Sequence, residues 1–325
     1  MRRIRIFLVA LALTCAALTA RTKWYKFDKQ FIEKNFPPDS AIGELHASGF
    51  STASRIHSIS CGGKDGELHV GIAANAILRA NATGFPVSSL AEGSNEAFGV
   101  VAEPPNATGP LRKQLAEGAG GPIVFQGYYR VWNEGHDVGP VFPSNPHHVL
   151  ELHPAWAFRI GSSDSGGPST VFSMNGYRGY GAKKFRPVLE SVQEDEWPKV
   201  AADGNFVYVE LRKAENFYQL PVRVKSSKAV SGGKEFVVDV HSSAQGALVY
   251  SDLAVIVADG TEIATELRTD QRTFLLGLFS VNLRKAMAAA AAAGSLDSPV
   301  FAPSTLEFFA FGVPKHRAVA SCQSH

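Results

Sequence analysis

Short segments that alternate apolar and polar side chains recur along this chain, and they constrain its fold more than any other feature. Successive side chains of a β-strand point to opposite faces, so such alternation is typical of strands with one buried face. Turn-forming residues, mainly Gly, Pro, Asn and Asp, separate the segments. The predicted strands include 122–132, 206–211, 217–224, 235–241, 253–258 and 306–311. Only 111–117 and 282–293 are predicted as helices, so we expect a mainly β protein.

The length of the chain and its turn-rich segments predict two β domains. With 325 residues, of which 45% are apolar and 19% charged, the chain can bury more than one core. We expect a signal peptide at 1–20, a linker at 21–39, an OB-like small barrel at 40–165, a linker at 166–199, a second β domain with one helix at 200–312 and a disordered tail at 313–325. Here OB denotes the oligonucleotide/oligosaccharide-binding type of barrel.

The N-terminus has the pattern of a secretory signal. Basic residues precede the apolar segment 6–17, which is too short to span a bilayer. Cleavage after Ala20 would leave a periplasmic or extracellular protein without a transmembrane segment. This mature chain retains Cys61 and Cys322, which either pair as a disulfide or stay as two free thiols, and their spacing does not decide between these states.

The segment Ser144–Trp156 combines strand alternation with ionisable side chains. Read as a strand, it places His147, Glu151 and His153 on one face and leucines on the other. Pro154 is expected to end the strand pairing. Glu-Leu-His triplets occur at 44–46, 67–69 and 151–153. The pattern indicates a polar site on a packed sheet.

Two strand motifs resemble those of a group of uncharacterised exported bacterial proteins. In that group a Gly-x-Trp-Arg-x-Trp strand leads to an Asn-Pro-x-His-Val-x-Glu-Ile-His-Pro strand. The corresponding segments here are 127–132 and 145–154, with Tyr129 in place of a tryptophan and Leu152 in place of an isoleucine. Segment 216–222 is similar to a later part of the same proteins. The Glu-x-His-Pro ending is also similar to strands in small exported OB-type domains, so the resemblance implies an OB-like barrel, and it brings no known activity.

The first candidate site is a divalent metal centre, such as a zinc site, built from His69, His147, Glu151 and His153. Imidazole and carboxylate donors suit such an ion, which would activate a water molecule, with Glu67 orienting that water or acting as base. The alternative is a polar face on which histidines donate to glutamates without a metal. Residues two apart on a strand are about 6.6 Å apart. No compact metal-binding motif occurs in the sequence, and this favours the alternative.

The second candidate is an aromatic face for ligand binding on strand 122–132. Sugars and single-stranded bases stack on aromatic rings that are interleaved with arginine. The alternative is that aromatic residues occur here only because they favour strands. The ligand would be a small molecule, an oligosaccharide or single-stranded nucleic acid, although a net charge of +2 disfavours strong nucleic-acid binding. The predicted ligand-binding residues are Tyr128, Arg130, Trp132, His147, Glu151 and His153.

The third candidate is the loop Asp164–Pro168, which resembles the nucleophile loop of trypsin-like serine proteases. Ser165 would be the nucleophile in that resemblance. However, Ser163 stands where that family has glycine, and no upstream motif supplies the histidine base. A polar linker is the better interpretation, because Ser, Gly, Pro and Asp are typical of loops.

These observations together predict an exported binding module for an unidentified ligand. A metal-dependent hydrolase at the His/Glu site is the alternative function. A serine hydrolase at Ser165 is a more distant alternative.

Overall fold

The computed structural model describes residues 23–40, 42–55, 66–78, 98–107, 109–161, 170–171, 185–293 and 295–313. The predicted signal peptide, both cysteines of the mature chain and Ser165 lie outside these residues. Within the described ranges, no helix has the length and apolar character needed to cross a membrane.

Strands dominate the described part of the chain. They are β1 (Lys23–Asp28), β2 (Gly43–Ala47), β3 (Ser51–Thr52), β4 (Val70–Ile72), β5 (Val100–Ala102), β6 (Ile123–Val131), β7 (Leu150–Ile160), β8 (Thr170–Val171), β9 (Lys199–Asp203), β10 (Phe206–Leu211), β11 (Phe217–Val230), β12 (Gly233–His241), β13 (Leu248–Ala258), β14 (Arg272–Val281), β15 (Val300–Phe301) and β16 (Leu306–Gly312). The α-helices are α1 (Lys29–Asn35), α2 (Gly109–Gly118), α3 (Arg186–Glu194), α4 (Glu262–Glu266) and α5 (Leu283–Ala293). The mainly β class predicted from the alternating segments is confirmed.

A curled sheet of seven strands carries most of the ionisable residues singled out above. Its strand order is β2-β6-β7-β5-β4-β3, and β8 pairs with β7. Strands β6 and β7 are antiparallel, with Arg130 opposite Glu151. Strands β5 and β7 are parallel, with Val101 opposite Glu151. This arrangement places β5 and β6 on the two sides of the same stretch of β7.

Strand β6 separates two cores, as its alternation predicts. Phe125, Tyr129 and Val131 pack into the core of the curled sheet. Trp132 belongs to a cluster formed with residues 188–310, and Tyr128 belongs to a smaller cluster formed with residues 217–311. Both faces of β6 are therefore buried.

Strand β7 continues through Pro154, where the sequence predicts its end. Its pairing register with β6 shifts on either side of Gly127. A Cβ atom on Gly127 would lie 2.7 Å from the carbonyl oxygen of Pro154, so this close approach of the two backbones requires glycine. The irregular pairing at this point accommodates a proline inside the sheet.

A closed barrel of five strands is formed within residues 217–312. Its strand order is β11-β12-β13-β16-β14, and β14 pairs with β11 to close it. Strands β13 and β16 are parallel, and the other neighbours are antiparallel. The expected OB-like barrel is thus present in the fold. It lies over 217–312, whereas residues within 40–165 form the curled sheet.

A third sheet, in the order β1-β10-β9-β15, joins the N-terminal strand to the later part of the chain. Residues 21–39, expected to be a linker, therefore contain β1 and α1. Helix α5 contacts β9 and β10 of this sheet. Its start agrees with the sequence prediction, because the Asn282 side chain accepts a hydrogen bond of 2.9 Å from the backbone N–H of Lys285.

Candidate functional site

Ionisable side chains converge where β7 passes the loops beside β4 and β5. Glu151 and His153 project from one face of β7, because they are two residues apart on the strand. Glu67 lies three residues before β4, and Glu103 directly follows β5. These four side chains, with Arg130, Glu134 and His148, form what we call the His/Glu cluster. Glu67, Glu103, Glu151 and His153 are each at most 4% exposed.

His153 lies at the centre of the His/Glu cluster. Its Nε2 atom is 2.8 Å from Oε1 of Glu67. Its Nδ1 atom is 3.1 Å from Oε2 of Glu103 and 3.3 Å from Oε2 of Glu151. Both ring nitrogens therefore face carboxylates, which is the arrangement that stabilises a protonated imidazole.

Arg130 connects the His/Glu cluster to the barrel. Its Nη1 atom donates to Oε2 of Glu151 at 3.0 Å and to Glu134. The same nitrogen is 3.1 Å from Oδ1 of Asn216, and Nε donates to the carbonyl oxygen of Phe279 at 3.0 Å. The guanidinium is completely buried, so these contacts hold a charge at the junction of sheet and barrel.

His148 extends the cluster towards the surface. Its Nε2 atom is 3.1 Å from Oε1 of Glu151, and its Nδ1 atom is 2.7 Å from the carbonyl oxygen of Pro146. The ring stacks on His136, with centroids 4.9 Å apart. The side chain of His136 is 36% exposed, so the cluster ends at this edge of the molecule.

Burial and mutual charge shift the pKa values within the cluster. Burial alone would raise the pKa of Glu151, but Arg130 and His153 help to hold it well below its usual value. Burial opposes the charge of His153, yet Glu103 and Glu67 raise its pKa well above the usual value. Burial raises the pKa of Glu103 well above its usual value, despite the attraction of His153. These shifts favour the ionised form of Glu151 and the charged form of His153 over their neutral forms.

His148 occupies the place expected for His147. Strand β7 begins at Leu150, so strand alternation does not extend back to His147. The Nε2 atom of His147 instead lies 3.0 Å from the carbonyl oxygen of Gly139. The structure therefore brings Glu151 and His153 together as predicted, and His147 lies apart from them.

His69 lies at the edge of the cluster. Its Nε2 atom is 3.4 Å from Oε1 of Glu103, and its side chain is 12% exposed. The Glu-Leu-His triplets at 67–69 and 151–153 thus meet in space. In the first triplet, His46 pairs with Glu44 on β2.

The aromatic face predicted to bind a ligand is covered by the barrel. Arg130, Tyr128 and Trp132 are 0%, 4% and 1% exposed, respectively. Tyr128 stacks on Phe309, with centroids 4.4 Å apart, and Trp132 stacks on Phe279 at 5.9 Å. Both phenylalanines belong to barrel strands, so this face is an internal interface rather than an open ligand-binding surface.

Three members of the cluster, Glu103, Glu134 and His148, were not singled out by sequence reasoning. Glu103 follows the buried strand Val100–Ala102 and is itself 4% exposed. A carboxylate placed directly after a short apolar strand is the local signal that points to it. Glu134 is four residues after Arg130, and no strand or helix pattern connects the two in the sequence.

Three overlapping groups of described residues have donor atoms close enough together for one metal ion. In each group, one atom from every residue lies within 4.8 Å of the others. The groups are Glu67 with Glu103 and His153, Glu103 with His148 and Glu151, and Glu134 with Glu151 and His153. Arg130 is bonded to Glu134 and Glu151, which belong to the second and third groups. The first group is therefore the best placed for a cation.

A separate cleft opens on the outer side of the barrel, and we call it the barrel cleft. It has a volume of about 240 Å³ and lies between residues 37–40, strands β11 to β13, and the start of α5. Tyr128 and Glu307, both buried, line it together with Ile256 of β13. The hydroxyl of Tyr128 donates to Oε1 of Glu307 at 2.5 Å, and burial raises the pKa of that carboxyl.

The barrel cleft carries three basic side chains. Lys228 is paired with Asp39 at 3.0 Å and with Glu235 at 3.6 Å. Arg284 and Lys285, in the first turn of α5, form no ion pair with the described residues, although the charge of Lys285 opposes the rise in the pKa of Glu307 in the same cleft. The Nε atom of Arg284 is buried and has no hydrogen-bond partner in the described ranges. The cleft therefore offers positive charge at a helix N-terminus.

No protein-family model matches the chain, and no curated protein is significantly similar to it. The resemblance to exported bacterial proteins stays a prediction. Function is therefore inferred from the geometry and chemistry of the two sites.

Proposed function

We propose that the protein is a binding module for a small polar ligand that carries an acidic group, and that the ligand binds in the barrel cleft. The observation that carries this proposal is the pair of cations, Arg284 and Lys285, placed without ion-pair partners among the described residues at the start of α5. A helix N-terminus favours negative charge, and a guanidinium recognises carboxylate or phosphate with two parallel hydrogen bonds.

The position of the cleft on the barrel supports the same function. Glu235 lies on the second barrel strand and Ile256 on the third, and both line the cleft. OB barrels bind oligosaccharides and oligonucleotides on the face of these two strands. The ligand-binding face predicted around Trp132 is covered by the barrel. The proposed binding face is therefore the one that carries Glu235 and Ile256.

The volume of the cleft limits the size of the ligand. The volume of the cleft is about 240 Å³. Pockets for drug-sized ligands typically have about 300–1,000 Å³. The cleft therefore suits one acidic sugar unit or one nucleotide unit, with the rest of a longer chain lying outside.

Calorimetric titration of the untagged mature chain tests this proposal. The probes are a uronic-acid tetrasaccharide, a neutral glucose tetrasaccharide and a short oligothymidylate. We expect an acidic probe to bind and the neutral one not to bind. Arg284→Ala should weaken binding by roughly 10- to 150-fold, because a hydrogen bond to a charged group contributes about 1.5–3 kcal/mol.

Lys225→Ala is the matched control for this titration. Lys225 lies on β11, as Lys228 does, but it pairs with Asp252 at 2.8 Å outside the cleft. The control should bind as the wild type does. Failure of both acidic probes to bind, or equal weakening by Lys225→Ala and Arg284→Ala, would refute the proposal.

The proposal includes export to the periplasm or the extracellular space. It is supported by the basic and apolar pattern of residues 1–20, which lie outside the described residues. The test is mass spectrometry of the protein recovered from the periplasm of an expressing bacterium. A mature chain that begins at Arg21 is expected, and an uncleaved chain confined to the cytoplasm would contradict export.

The burial of the His/Glu cluster disfavours the alternative of a metal-dependent hydrolase at this site. Its central groups, Glu67, Glu103 and His153, are at most 4% exposed, so a substrate has no access to them.

A further inference from the structure

The His/Glu cluster has an excess of acidic groups that the barrel cleft does not explain. Glu67, Glu103 and Glu151 are at most 4% exposed, and the side chain of Glu134 is 13% exposed. Glu134 and Glu151 bond to the guanidinium of Arg130, whereas Glu67 and Glu103 face His153. Buried ionised carboxylates require nearby positive charge, either from protons or from a bound cation.

The hydrogen bonds around His153 have the form found around metal-ligating histidines. Such a histidine binds the ion through one ring nitrogen and gives the other N–H to a carboxylate that is itself held in place. Here Nδ1 faces Glu103 at 3.1 Å and Glu151 at 3.3 Å, and Glu151 is held by Arg130 at 3.0 Å and by His148 at 3.1 Å. This leaves Nε2, on the side of Glu67, as the nitrogen for an ion.

The distances between donor atoms also suit a small ion. Tetrahedral bonds of about 2.0–2.1 Å place neighbouring donors about 3.3 Å apart. His153 Nε2 is 2.8 Å from Oε1 of Glu67. One donor atom each from Glu67, Glu103 and His153 lies within 4.8 Å of the other two. His69, 3.4 Å from Glu103, is close enough to provide a fourth donor.

We infer that Glu67, Glu103 and His153 bind one divalent transition-metal ion, with His69 as a fourth ligand. Mixed imidazole and carboxylate donors suit zinc and similar ions. The three central groups are closed off from solvent, so the ion is structural: it joins the loops beside β4 and β5 to β7. Glu151 is a positioning residue, which acts by orienting His153.

The experiment measures zinc on the untagged mature chain. Protein purified without chelator is analysed for metals by mass spectrometry, then stripped with EDTA and titrated with zinc chloride against a chromophoric chelator. We expect about one equivalent of zinc. Glu103→Gln, which keeps the shape of the side chain, should weaken zinc binding by more than about 100-fold, and Glu151→Gln by about 10- to 100-fold, the range typical of groups that orient a ligand.

His147→Gln is the matched control, because His147 is an imidazole three residues before β7 that bonds to Gly139 outside the group. It should bind zinc as the wild type does. The inference is overturned if the wild type takes up no zinc, or if His147→Gln loses zinc as strongly as Glu103→Gln.

A thermal measurement decides the question even if Glu103→Gln does not fold. An ion that binds only the folded state raises the unfolding temperature. Zinc at tenfold excess should therefore raise the unfolding temperature of the stripped wild type, and magnesium at the same concentration should not. No shift with zinc overturns the inference. Ligand titrations of the barrel cleft are made in EDTA, so failure of one proposal is distinguishable from failure of the other.

Discussion

Replacing Arg130 by methionine should destabilise the protein more than any other single change at the His/Glu cluster. The guanidinium is completely buried, and it donates to Glu151, Glu134 and the carbonyl oxygen of Phe279. Methionine fills a similar volume but leaves two carboxylates without their cation. Removing one partner of a buried ion pair costs about 3–5 kcal/mol, and we expect the free energy of unfolding to fall by that amount.

A double variant separates the charge effect from the loss of packing. In Arg130→Met with Glu151→Gln, the uncompensated charge of Glu151 is gone. Replacing both partners costs less than removing one, so the double variant should be more stable than Arg130→Met alone. A coupling free energy of about 1.5 kcal/mol or more between Arg130 and Glu151 is expected from the double-mutant cycle.

The assay is urea unfolding at pH 7 in EDTA, followed by circular dichroism and by tryptophan fluorescence. Two probes are needed because a chain of this length can unfold in more than one step. Arg223→Met is the control, since Arg223 and Asp270 form a surface pair with side chains 48% and 73% exposed. That pair should contribute at most about 1 kcal/mol to the free energy of unfolding. If Arg130→Met costs no more than Arg223→Met, the assignment of Arg130 as the cation that stabilises the buried carboxylates is wrong.

Three further predictions concern single side chains. Burial raises the pKa of Glu307 in the folded protein, so its protonated form contributes stability that is fully present below about pH 4.3 and is lost as the pH rises through the folded pKa. Above about pH 4.3, the urea midpoint of Glu307→Gln should therefore change less with pH than that of the wild type. In thermal unfolding, Gly127→Ala should lower the stability of the protein by about 1–3 kcal/mol, because its Cβ would lie 2.7 Å from a backbone oxygen. Gly109→Ala is the control and should not destabilise the protein, because no atom lies within 4 Å of the added Cβ. In urea unfolding, His148→Gln should lower the free energy of unfolding by about 1–3 kcal/mol, whereas His147→Gln should change it by no more than about 0.5 kcal/mol. Equal losses in the two variants would contradict the assignment of His148 to the cluster.

Local sequence patterns were sufficient for much of the fold. The alternation of Phe125, Tyr129 and Val131 against Tyr128 and Trp132 predicted the two faces of β6. Helix α5 was predictable as well, because its cap and its alanine-rich segment are local signals. The order of strands in the barrel was not, because pairing between distant segments leaves no local trace.

The candidate site was predictable only where its residues share one strand. Glu151 and His153 are two residues apart, so their common face follows from alternation. Glu103 reaches them because β5 pairs in parallel with β7, and Val101 lies opposite Glu151. His147 was misplaced, because the sequence does not show that β7 begins only at Leu150.

Exposure was the property that sequence predicted least well. Tyr128 and Trp132 share a face with Arg130, as expected, but whether that face meets solvent depends on the barrel strands that cover it. Phe279 and Phe309, which provide the cover, lie more than 140 residues further along the chain. The ligand-binding site proposed here was therefore identified from the assembled barrel.

A crystal structure of the protein with the tighter-binding acidic probe tests the central proposal most directly. The acidic group is expected beside Arg284 and Lys285 at the start of α5, with the rest of the unit along Ile256 in the barrel cleft. Probe bound elsewhere on the molecule, with Arg284 and Lys285 free of contact to it, would contradict the proposed function.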